Sequence, residues 1–444
     1  MSAQLNTHLP KLSATVVNGK GSFPLLTEPD PDYWRDLPAK QQPEWADAER
    51  VAAARNDLAR LPGLVNREEV DQLSRLLAEV ANGRRGVLQA GDCAEDPSDC
   101  VPDTLDSKVA LLHQLGAQLA AVTGHSVVRV GRIAGQFGKP RSNPVESHGG
   151  RALPVFRGHA VNSPLPTLAL RRSDPVRLLT CYHAAAAATA FLRARAEEPG
   201  VPAVWTSHEA LLLDYEVPLL RHHHDGVLLS STHWPWIGDR TRQLDGAHVR
   251  LLATVMNPVA CKIGPSMTPD ELVRLCHQLD PNRDPGRLTL ISRMGVSQVS
   301  RSLPALVEAV RREGHPVIWM CDPMHGNTVT TASGLKTRYV SQLVREVREF
   351  RAVLAATGGI AGGLHLEATP ERVTECLSVG TSPSTLSANY RTACDPRLRP
   401  DQAVDVVGAW SEETVTVSPT LATTLPVSRE PTPTTSGGND VPVP

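Results

Sequence analysis

The sequence contains no run of about eighteen consecutive apolar residues, the length that a membrane-spanning helix requires. Its formal net charge is only -2, and no face reads as a basic stripe, so we expect no nucleic-acid partner. The N-terminal stretch MSAQLNTHLPKLSATVVNGK lacks a charged start followed by an apolar run and does not predict a signal peptide. The eight cysteines are scattered without regular spacing, which is typical of cytosolic thiols rather than of a disulfide framework. These absences predict a cytoplasmic protein that neither crosses nor contacts a membrane.

What the sequence does contain is an ordinary globular composition, 41% hydrophobic and 21% charged over 444 residues. We divide the chain into an N-terminal extension (1–65), a central domain (66–414) and a C-terminal tail (415–444). The tail is rich in Thr, Pro, Ser and Gly and poor in large apolar side chains. It is predicted to be disordered, because it cannot bury enough surface to offset its ordering entropy.

Within the central domain, short β-branched runs alternate with helical patterns. The predicted strands are Gly86–Ala90, Val127–Val130, Ala203–Thr206, Gly226–Ser230, Val259–Lys262, Leu288–Ser292, Val317–Cys321 and Gly363–Leu366. Eight strands with helical crossovers predict an α/β fold, a (β/α)8 TIM barrel. A doubly wound open sheet is the structural alternative, but no glycine-rich phosphate loop follows the first strand to support it.

Helix starts are marked by capping residues. Asn66 precedes apolar residues at helical spacing, and Gly83 marks the end of that helix. Thr268 is followed by Pro and, at the capping-box position, by Glu271. Thr369, again followed by Pro, predicts a helix directly after the last strand.

The predicted strands end in an unusual number of polar side chains, and the carboxyl ends of barrel strands are where active sites form. One set is cationic and consists of Arg132, Lys139, Arg141, Arg240, Lys262 and Arg293. The planar fork of Arg matches phosphate and carboxylate oxygens, and Lys supplies a point charge. Long basic side chains also decorate solvated loops, but six together predict at least two bound anionic groups, as two phosphorylated substrates would supply.

A second set consists of Cys93, His325, Glu367 and Asp395. A thiolate, an imidazole and two carboxylates form a plausible site for a first-row transition metal. The four are far apart in the sequence and match no short metal motif, and taken singly such a Cys is usually a small core residue. Their shared position at the mouth of one barrel favours the metal site.

His222, His223 and His224 form a run that we do not assign to a metal. Three adjacent histidines cannot all face one ion, and the run is followed by an Asp-Gly turn signal. We expect a solvent-exposed loop.

Nine longer motifs then carry a resemblance that spans about residues 86 to 400. They are QAGDCAED, GRIAGQFGKPRS, WTSHEALLLDYE, WIGDRTRQLDGAH, NPVACKIGPSMTP, LISRMG, VIWMCDPMHGNT, GGLHLEATPERVTEC and YRTACDPRL. In this order they resemble the type II 3-deoxy-D-arabino-heptulosonate 7-phosphate (DAHP) synthases, which catalyse the first step of the shikimate pathway toward chorismate and the aromatic amino acids. The resemblance implies that 66–414 is a catalytic barrel that condenses phosphoenolpyruvate with erythrose 4-phosphate.

The resemblance also implies roles for individual residues. The metal ligands would be Cys93, His325, Glu367 and Asp395. They would hold one divalent ion, with Mn²⁺ or Co²⁺ expected in preference to Zn²⁺ or Fe²⁺. The phosphoenolpyruvate contacts would be Arg132, Asp239, Arg240, Lys262 and Arg293, with Arg132, Lys262 and Asp239 as the catalytic group. Lys139, Arg141 and Ser142 would line the substrate channel, the last two near the aldose phosphate. Asp239 and Glu95 are the candidates for activating water.

The chain departs from the usual family pattern in four places. Asp239 stands where the family usually has Glu, His159 replaces an acid, and Arg391 stands where the family usually has Glu. Only a short segment joins Leu179 to Ala203, where long members insert helices that help to form a regulatory site for aromatic amino acids. We therefore expect the short subtype, often found in secondary metabolism, and little inhibition by aromatic amino acids.

Partners and rival functions follow from the same resemblance. A homo-oligomer, dimer or tetramer, is expected, with a chorismate mutase as a candidate partner. The rival functions are synthesis of the amino analogue of DAHP for aminohydroxybenzoate and a non-catalytic barrel that serves as a binding partner. Because Cys394 directly precedes Asp395, its sulfur is also expected within disulfide reach of Cys93.

Overall fold

The computed structural model describes residues 36–411, so the predicted tail (415–444) and the first 35 residues of the predicted extension lie outside the described range. The α-helices are α1 (Ala48–Arg60), α2 (Arg67–Ala81), α3 (Pro102–Thr123), α4 (Leu168–Arg171), α5 (Val176–Ala196), α6 (Leu213–Glu216), α7 (Ala247–Thr254), α8 (Pro269–Leu279), α9 (Val299–Arg312), α10 (Val340–Thr357) and α11 (Pro400–Gly408). Short 3₁₀ helices span Pro97–Asp99, Val217–Leu219 and Pro383–Ala388. The strands are β1 (Gly86–Gly91), β2 (Val127–Arg132), β3 (Val145–His148), β4 (Arg151–Pro154), β5 (Val204–Thr206), β6 (Leu220–His223), β7 (Gly226–Leu229), β8 (Trp236–Ile237), β9 (Val259–Ile263), β10 (Leu288–Ser292), β11 (Ile318–Cys321), β12 (Val329–Thr330), β13 (Lys336–Thr337) and β14 (Ala361–Glu367).

Eight of these strands form one parallel sheet in the order β5-β2-β1-β14-β11-β10-β9-β8. The two end strands are joined through the residues that follow β5. Glu209 and Trp236 form a parallel bridge, the Ala210 amide donates to the Trp236 carbonyl at 3.0 Å, and the Trp236 amide donates to the His208 carbonyl at 3.1 Å. The sheet is therefore closed, and the predicted (β/α)8 barrel is confirmed.

The barrel interior is filled by side chains, and helix α2 covers its amino end. The interior residues are Val87, Val128, Val130, Trp205, Trp234, Trp236, Ala260, Ile291, Ile318 and Met320. Leu73, Leu77 and Val80 of α2 pack into the same cluster. The helix lies so close that a Cβ on Gly286, just before β10, would be 2.4 Å from its backbone. Since Gly286 also has φ +86°, glycine is required there on both grounds.

The described part of the N-terminal extension packs on the barrel. Ala54 and Leu58 of α1 belong to the main hydrophobic core, and the Trp45 indole donates to Asp214 at 2.7 Å. The Gln41 side chain accepts a hydrogen bond from the Arg141 amide at 2.8 Å. The extension thus supports a loop that carries one of the predicted substrate contacts.

The capping predictions are confirmed for two helices, with one difference. At α2, Asn66 and Glu69 exchange side-chain and backbone hydrogen bonds, which is a complete capping box. At α8, Thr268 accepts from the Glu271 amide at 3.2 Å. The Glu271 carboxylate, however, accepts from Arg242 at 2.6 Å, so a tertiary partner takes the group that the capping box would use.

The predicted strand Gly226–Ser230 is wrong as a barrel strand. Its residues form β7, which pairs antiparallel with β6 outside the barrel, where Leu228 packs on Val65 and Val70. The fourth barrel strand is instead the two-residue β8, through which Trp236 pairs with Ala260. The apolar residues of β7 give the sequence pattern of a buried strand. They are buried against α2, however, and not in the sheet of the barrel.

The helix predicted at Thr369 is also wrong, because residues 369–376 form bends and irregular backbone rather than a helix. The backbone of this segment pairs with the chain before α11: the Thr369 amide donates to the Leu398 carbonyl at 2.9 Å. The helix that follows β14 is α11, which begins about thirty residues later, after the 3₁₀ turn. Tertiary pairing here outweighs the local Thr-Pro signal.

The histidine run is exposed, as predicted, but lies in a hairpin rather than an irregular loop. His222 and His223 end strand β6, and the His224 side chain is 95% exposed in the turn to β7. Between β2 and β5 the chain forms the β3–β4 hairpin, the single-turn α4 and one long helix, α5. No helix in residues 36–411 is long and apolar enough to cross a membrane.

Candidate active site and metal centre

A cavity of about 570 Å³ opens at the carboxyl ends of the barrel strands. It is lined by all eight residues predicted to contact substrate, namely Arg132, Lys139, Arg141, Ser142, Asp239, Arg240, Lys262 and Arg293. His325 and Asp395 of the predicted metal set also line it. The fold therefore brings both sets of side chains to one place, although they come from different strands.

The four candidate metal ligands lie together at the inner end of this cavity. Ligand atoms of Cys93, Glu367 and Asp395 all lie within 4.8 Å of one another. Cys93 Sγ is 3.5 Å from Asp395 Oδ2, and His325 Nε2 is 3.3 Å from Glu367 Oε1. One sulfur, one imidazole nitrogen and carboxylate oxygens are a donor set that fits a divalent first-row metal.

Strand pairing explains why residues so distant in sequence meet. Gly91 at the end of β1 is paired with Glu367 at the end of β14, so Cys93 lies next to that carboxylate. The Leu398 amide donates to the Glu367 carbonyl at 2.9 Å, which holds the Asp395 loop beside the same strand end. β14 is in turn the neighbour of β11, which delivers His325.

Asp322, at the end of the buried strand β11, orients the imidazole of His325. Its Oδ2 is 2.8 Å from His325 Nδ1, so Nε2 is the nitrogen that faces Glu367. Burial by itself raises the pKa of the Asp322 carboxyl, but the neighbouring His325 and Lys262 hold it well below its usual range. A carboxylate behind an imidazole is the usual support of a metal-binding histidine. No role was assigned to this acid from the sequence.

The carboxylate of Glu367 is fully buried and is surrounded by cations. Arg338 Nη2 lies 2.8 Å from Oε2, and Arg132 Nη2 and Lys139 Nζ lie 3.2 Å and 3.6 Å from Oε1. Burial raises the pKa of Glu367, yet His325, Lys139 and Arg338 outweigh it and keep the group ionised. Arg338 was missed in the sequence because it follows the two-residue strand β13, which the sequence pattern did not predict.

The pKa of the Cys93 thiol is shifted upward, opposite to the shift of the Glu367 carboxyl. Burial, the contact with Cys394 and the nearby Glu367 carboxylate raise the pKa of Cys93. A divalent cation between these groups would reverse that shift, because a coordinating thiol is deprotonated outright. The residues thus fit a metal, and the metal would supply the charge that the cysteine needs as a ligand.

Each cation predicted to bind phosphoenolpyruvate already has a fixed protein partner. Asp239 accepts from Arg293 Nη1 at 2.7 Å through one oxygen and from Arg242 Nε at 2.9 Å through the other. Lys262 Nζ lies 2.9 Å from Asp322 Oδ2. Burial lowers the pKa of Lys262, and Asp322 partly opposes this. Asp239 therefore orients an arginine, and both of its oxygens are engaged.

Arg132 is the most deeply buried of these cations, at 1% exposure. Its Nε donates to the Asp92 carbonyl at 2.9 Å, and its guanidinium stacks over Trp236 at 5.3 Å. Burial and the nearby Lys262 hold the pKa of His365 well below its usual range, so this imidazole is neutral. Its Nδ1 then donates to Gln89, and its Nε2 accepts from Arg132 Nη1 at 2.7 Å.

The outer part of the cavity is formed by the loop after β2 and the β3–β4 hairpin. Arg240 Nη2 donates to Ser142 Oγ at 2.9 Å, and Arg141 Nη2 donates to Glu146 Oε2 at 3.2 Å. Lys336, which sequence reasoning missed, also lines the cavity and pairs with Asp395 Oδ1 at 2.9 Å. The outer part of the cavity is therefore lined by several cationic side chains, namely Arg141, Arg240 and Lys336.

Two glutamates, Glu95 and Glu209, differ in whether their carboxylates reach the cavity. Glu95, a candidate for activating water, is buried under the loop after β2 and accepts hydrogen bonds from the amides of Ala134, Gly135 and Gln136. It is not among the residues that line the cavity, and it instead holds Ala134 in a left-handed conformation, φ 65°. Glu209 does line the cavity, and its Oε1 has no hydrogen-bond partner among the described residues.

Two of the departures from the family pattern lie away from the cavity. His159 Nε2 faces Asp96 Oδ2 at 3.6 Å, and Arg391 pairs with Glu371 at 3.1 Å on the surface. Neither residue is among those lining the cavity in the described chain. Of these three substituted residues, Asp239 is the one that lines the cavity.

A closed (β/α)8 barrel with a cavity lined by cations and a candidate metal-ligand set at its carboxyl end has the arrangement of a TIM-barrel enzyme site. The sequence profile of the Class-II DAHP synthetase family matches residues 29–203 and 198–409, and the chain belongs to this family.

Its curated relatives carry consistent names. A "Probable phospho-2-dehydro-3-deoxyheptonate aldolase" of Pseudomonas fluorescens is 48% identical, covering 84% of this chain and 94% of that protein. A phospho-2-dehydro-3-deoxyheptonate aldolase of Streptomyces coelicolor is 41% identical with the same coverage, and that of Mycolicibacterium smegmatis is 38% identical, covering 83% and 91%. A solved structure of such an aldolase from Francisella tularensis covers 81% of this chain and 97% of its own at TM-score 0.48 and 13% identity.

Proposed function

We propose that this chain condenses phosphoenolpyruvate, erythrose 4-phosphate and water to 3-deoxy-D-arabino-heptulosonate 7-phosphate and phosphate. The observation that carries the proposal is that the cationic set lines a cavity that also contains His325 and Asp395, beside which lie Cys93 and Glu367. Two phosphorylated substrates need the cations, and an aldehyde that is attacked at its carbon needs a Lewis acid at its oxygen. Family membership and the names of the relatives support the same reaction.

In this reaction a carbon–carbon bond forms between C3 of phosphoenolpyruvate and the aldehyde carbon. Arg132, Lys262 and Arg293 would hold the carboxylate and phosphate of phosphoenolpyruvate, since all three cationic side chains line the cavity. A divalent metal held by the four ligands would polarise the aldehyde oxygen as a Lewis acid. Asp239 would fix the guanidinium of Arg293 rather than move a proton.

The aldose phosphate would lie in the outer part of the cavity. Arg141 and Ser142, in the loop after β2, supply a cation and a hydroxyl there, and Lys139 and Arg240 lie beside them. Glu146 holds Arg141 through a salt bridge at 3.2 Å. Placing the second phosphate here separates the two anions and leaves the aldehyde near the inner end of the cavity.

Glu209 is the group that we propose to position the water that adds at C2 and to accept its proton. Its Oε1 is unpaired among the described residues although the atom is buried, which makes it the acceptor with spare capacity in the cavity. Gly238 packs against it, and a Cβ at that position would lie 2.0 Å from Oε1. Phosphate then leaves as the carbon–oxygen bond of the adduct breaks.

The reaction is tested by incubating purified protein with Mn²⁺ or Co²⁺ and both substrates, following loss of phosphoenolpyruvate and formation of the seven-carbon product. Consumption that requires erythrose 4-phosphate supports the proposal. Turnover of a 4-amino aldose phosphate in its place would assign the amino-analogue reaction. Absence of turnover with bound metal would assign a non-catalytic barrel.

Glu209→Gln tests the proposed water position. Because the amide cannot accept a proton, kcat should fall by about 100-fold or more, while KM for phosphoenolpyruvate changes little. Glu146→Gln is the matched control: it removes an acid from the same cavity but loosens Arg141, so it should raise KM for erythrose 4-phosphate instead. Equal effects of both variants on kcat would remove Glu209 from this role.

The nature of the metal, the partners and the compartment are further proposals. We propose Mn²⁺ or Co²⁺, to be compared with Zn²⁺ and Fe²⁺ by activity after chelation and reloading. We also propose a cytoplasmic homo-oligomer that supplies secondary metabolism, with a chorismate mutase as the partner to test by co-purification.

A further inference from the structure

Three of the candidate ligands belong to three adjacent segments of chain. Cys93 follows β1, Glu367 ends β14, and Asp395 lies in the loop before α11. Backbone pairing joins the middle segment to each outer one. Backbone pairing does not by itself fix the separation of the outer ligands, Cys93 and Asp395, whose Sγ and Oδ2 atoms are 3.5 Å apart.

Arg397 joins the two outer segments directly. Its Nη1 donates to Asp92 Oδ1 at 2.7 Å, next to Cys93 in the chain. Its Nη2 and Nε donate to Glu375 at 2.9 Å and 3.1 Å. Lys108 Nζ holds the second oxygen of Asp92 at 2.7 Å, so both carboxylates are fully paired. The Arg397 side chain is 13% exposed, and the carboxylates are 4% and 0% exposed.

Glu375 also ties the loop that carries Asp395 at both of its ends. It accepts hydrogen bonds from the amides of Arg391 and Thr392 at 3.2 Å and 2.8 Å, before the ligand. It accepts one from the Arg397 amide at 2.7 Å, after the ligand. The loop is thus closed on one buried carboxylate, and the Arg397 guanidinium connects that carboxylate to the Cys93 segment.

We propose that Arg397 is a positioning residue that sets the separation of Cys93 and Asp395 and thereby the affinity of the metal centre. The inference rests on the proposed metal-dependent function. Arg397 is not among the residues lining the cavity, and its side chain pairs with Asp92 and Glu375 rather than with a candidate ligand. A planar guanidinium can span two carboxylates with fixed geometry, whereas a lysine ammonium is a point charge that cannot hold both.

The test is a titration of full-length Arg397→Lys with Co²⁺, followed by the thiolate-to-cobalt charge-transfer band that reports Cys93 ligation. The cobalt dissociation constant should rise by about 10-fold to 100-fold, as for other residues that support metal ligands. The kcat at saturating Co²⁺ should fall far less, because added metal restores the occupied site. Thermal unfolding with and without Co²⁺ should show a smaller stabilisation by metal than in the parent.

Arg287→Lys is the matched control. Arg287 precedes β10 at the opposite end of the barrel and donates to the carbonyls of Leu279 and Leu252 at 3.0 Å and 2.8 Å. The same exchange there should lower the melting temperature without changing the cobalt dissociation constant. A purely structural role for Arg397 predicts the same behaviour for both variants.

Asp92→Asn provides a second route if Arg397→Lys does not fold, because it cuts the same bridge from the other side. It should weaken cobalt binding in the same way, and unchanged affinity in the variant that folds would overturn the positioning role. If the parent itself gives no charge-transfer band with Co²⁺, the proposed metal centre fails, and this inference fails with it. If the parent and the variants bind Co²⁺ equally tightly, the role of Arg397 is refuted, while the proposed metal centre stands.

Discussion

Asp322 is the residue through which the buried strand β11 acts on the proposed metal centre. Its carboxylate holds His325 through Nδ1 and also pairs with Lys262. Asn at this position keeps the shape but removes the negative charge that strengthens the imidazole as a ligand. We expect Asp322→Asn to weaken Mn²⁺ binding by about 10-fold to 100-fold in a direct titration.

A matched control for this variant lies at the amino end of the barrel. Asp280 and His315 form another buried carboxylate–imidazole pair, 3.7 Å apart, which is outside the cavity. Asp280→Asn should change stability but leave the Mn²⁺ affinity at the parent value. If both variants lose metal affinity equally, a general loss of stability rather than His325 orientation is responsible.

Cys93 and Cys394 are two neighbouring buried thiols that could form a disulfide when no metal is bound. Their side chains pack in one small cluster with Phe156, and the two thiols contact each other. We expect hydrogen peroxide to oxidise the chelated enzyme to a disulfide: the two thiols lose two protons and two electrons, and peroxide is reduced to water. Activity should be lost and should return with a thiol reductant and metal.

Cys394→Ala should abolish this reversible loss while leaving the reduced enzyme active. Cys376→Ala, at another buried cysteine, is the control and should behave like the parent. Loss of activity on oxidation in Cys394→Ala, to the same extent as in the parent, would rule out the Cys93–Cys394 disulfide.

At the scale of elements, helix α2 and its cap tie the amino end of the barrel to neighbouring segments. Glu69 completes the capping box with Asn66, and it also pairs with Arg193 at 2.6 Å and with His233. Burial raises the pKa of Glu69, but hydrogen bonds from His233 and Arg193 outweigh it and lower it from 4.5 to about 2. A depressed acid pKa contributes stability that is present above pH 4.5 and is lost as the pH falls toward 2.

Glu69→Gln should therefore unfold more easily than the parent at neutral pH, by about 1 kcal/mol or more, and this difference should shrink below pH 4.5. Urea denaturation at a series of pH values measures it. Glu68→Gln removes a charge from the same helical turn at an exposed position and should have little effect. A difference between parent and Glu69→Gln that is independent of pH would show that the charge of Glu69 is not what stabilises the helix start.

At the scale of the whole molecule, the short connection between β2 and β5 bears on regulation. It contains a hairpin, the single-turn α4 and one long helix, α5, rather than an added pair of long helices. We expect phenylalanine, tyrosine and tryptophan, singly or combined, to leave the rate of the condensation nearly unchanged in a standard assay. Inhibition at micromolar concentrations by any of them would reveal a regulatory surface elsewhere on the protein.

Most of the barrel could be predicted because each element has its own pattern. Seven of the eight predicted strands lie in the closed sheet, and the Asn66 and Thr268 caps start their helices as expected. The failures have one cause. The apolar run of β7 and the Thr-Pro pair at Thr369 carry the local signals of a strand and a helix, but tertiary pairing uses them otherwise.

The sequence by itself determined the candidate ligands and most of the cations of the site, because an acid, an imidazole, a thiol or a guanidinium at a predicted strand end can be identified directly. It missed Arg338 and Lys336, which do not follow a predicted strand in the same way, and it also missed Glu209. Only the tertiary structure decided which partner each group has. Asp239 lies between two arginines, Glu95 supports a loop, and Glu209 has an oxygen in the cavity that no residue of 36–411 pairs with. The physical reason is that hydrogen bonding and pKa depend on distances through space, and these distances are fixed only when strands remote in sequence close into a barrel.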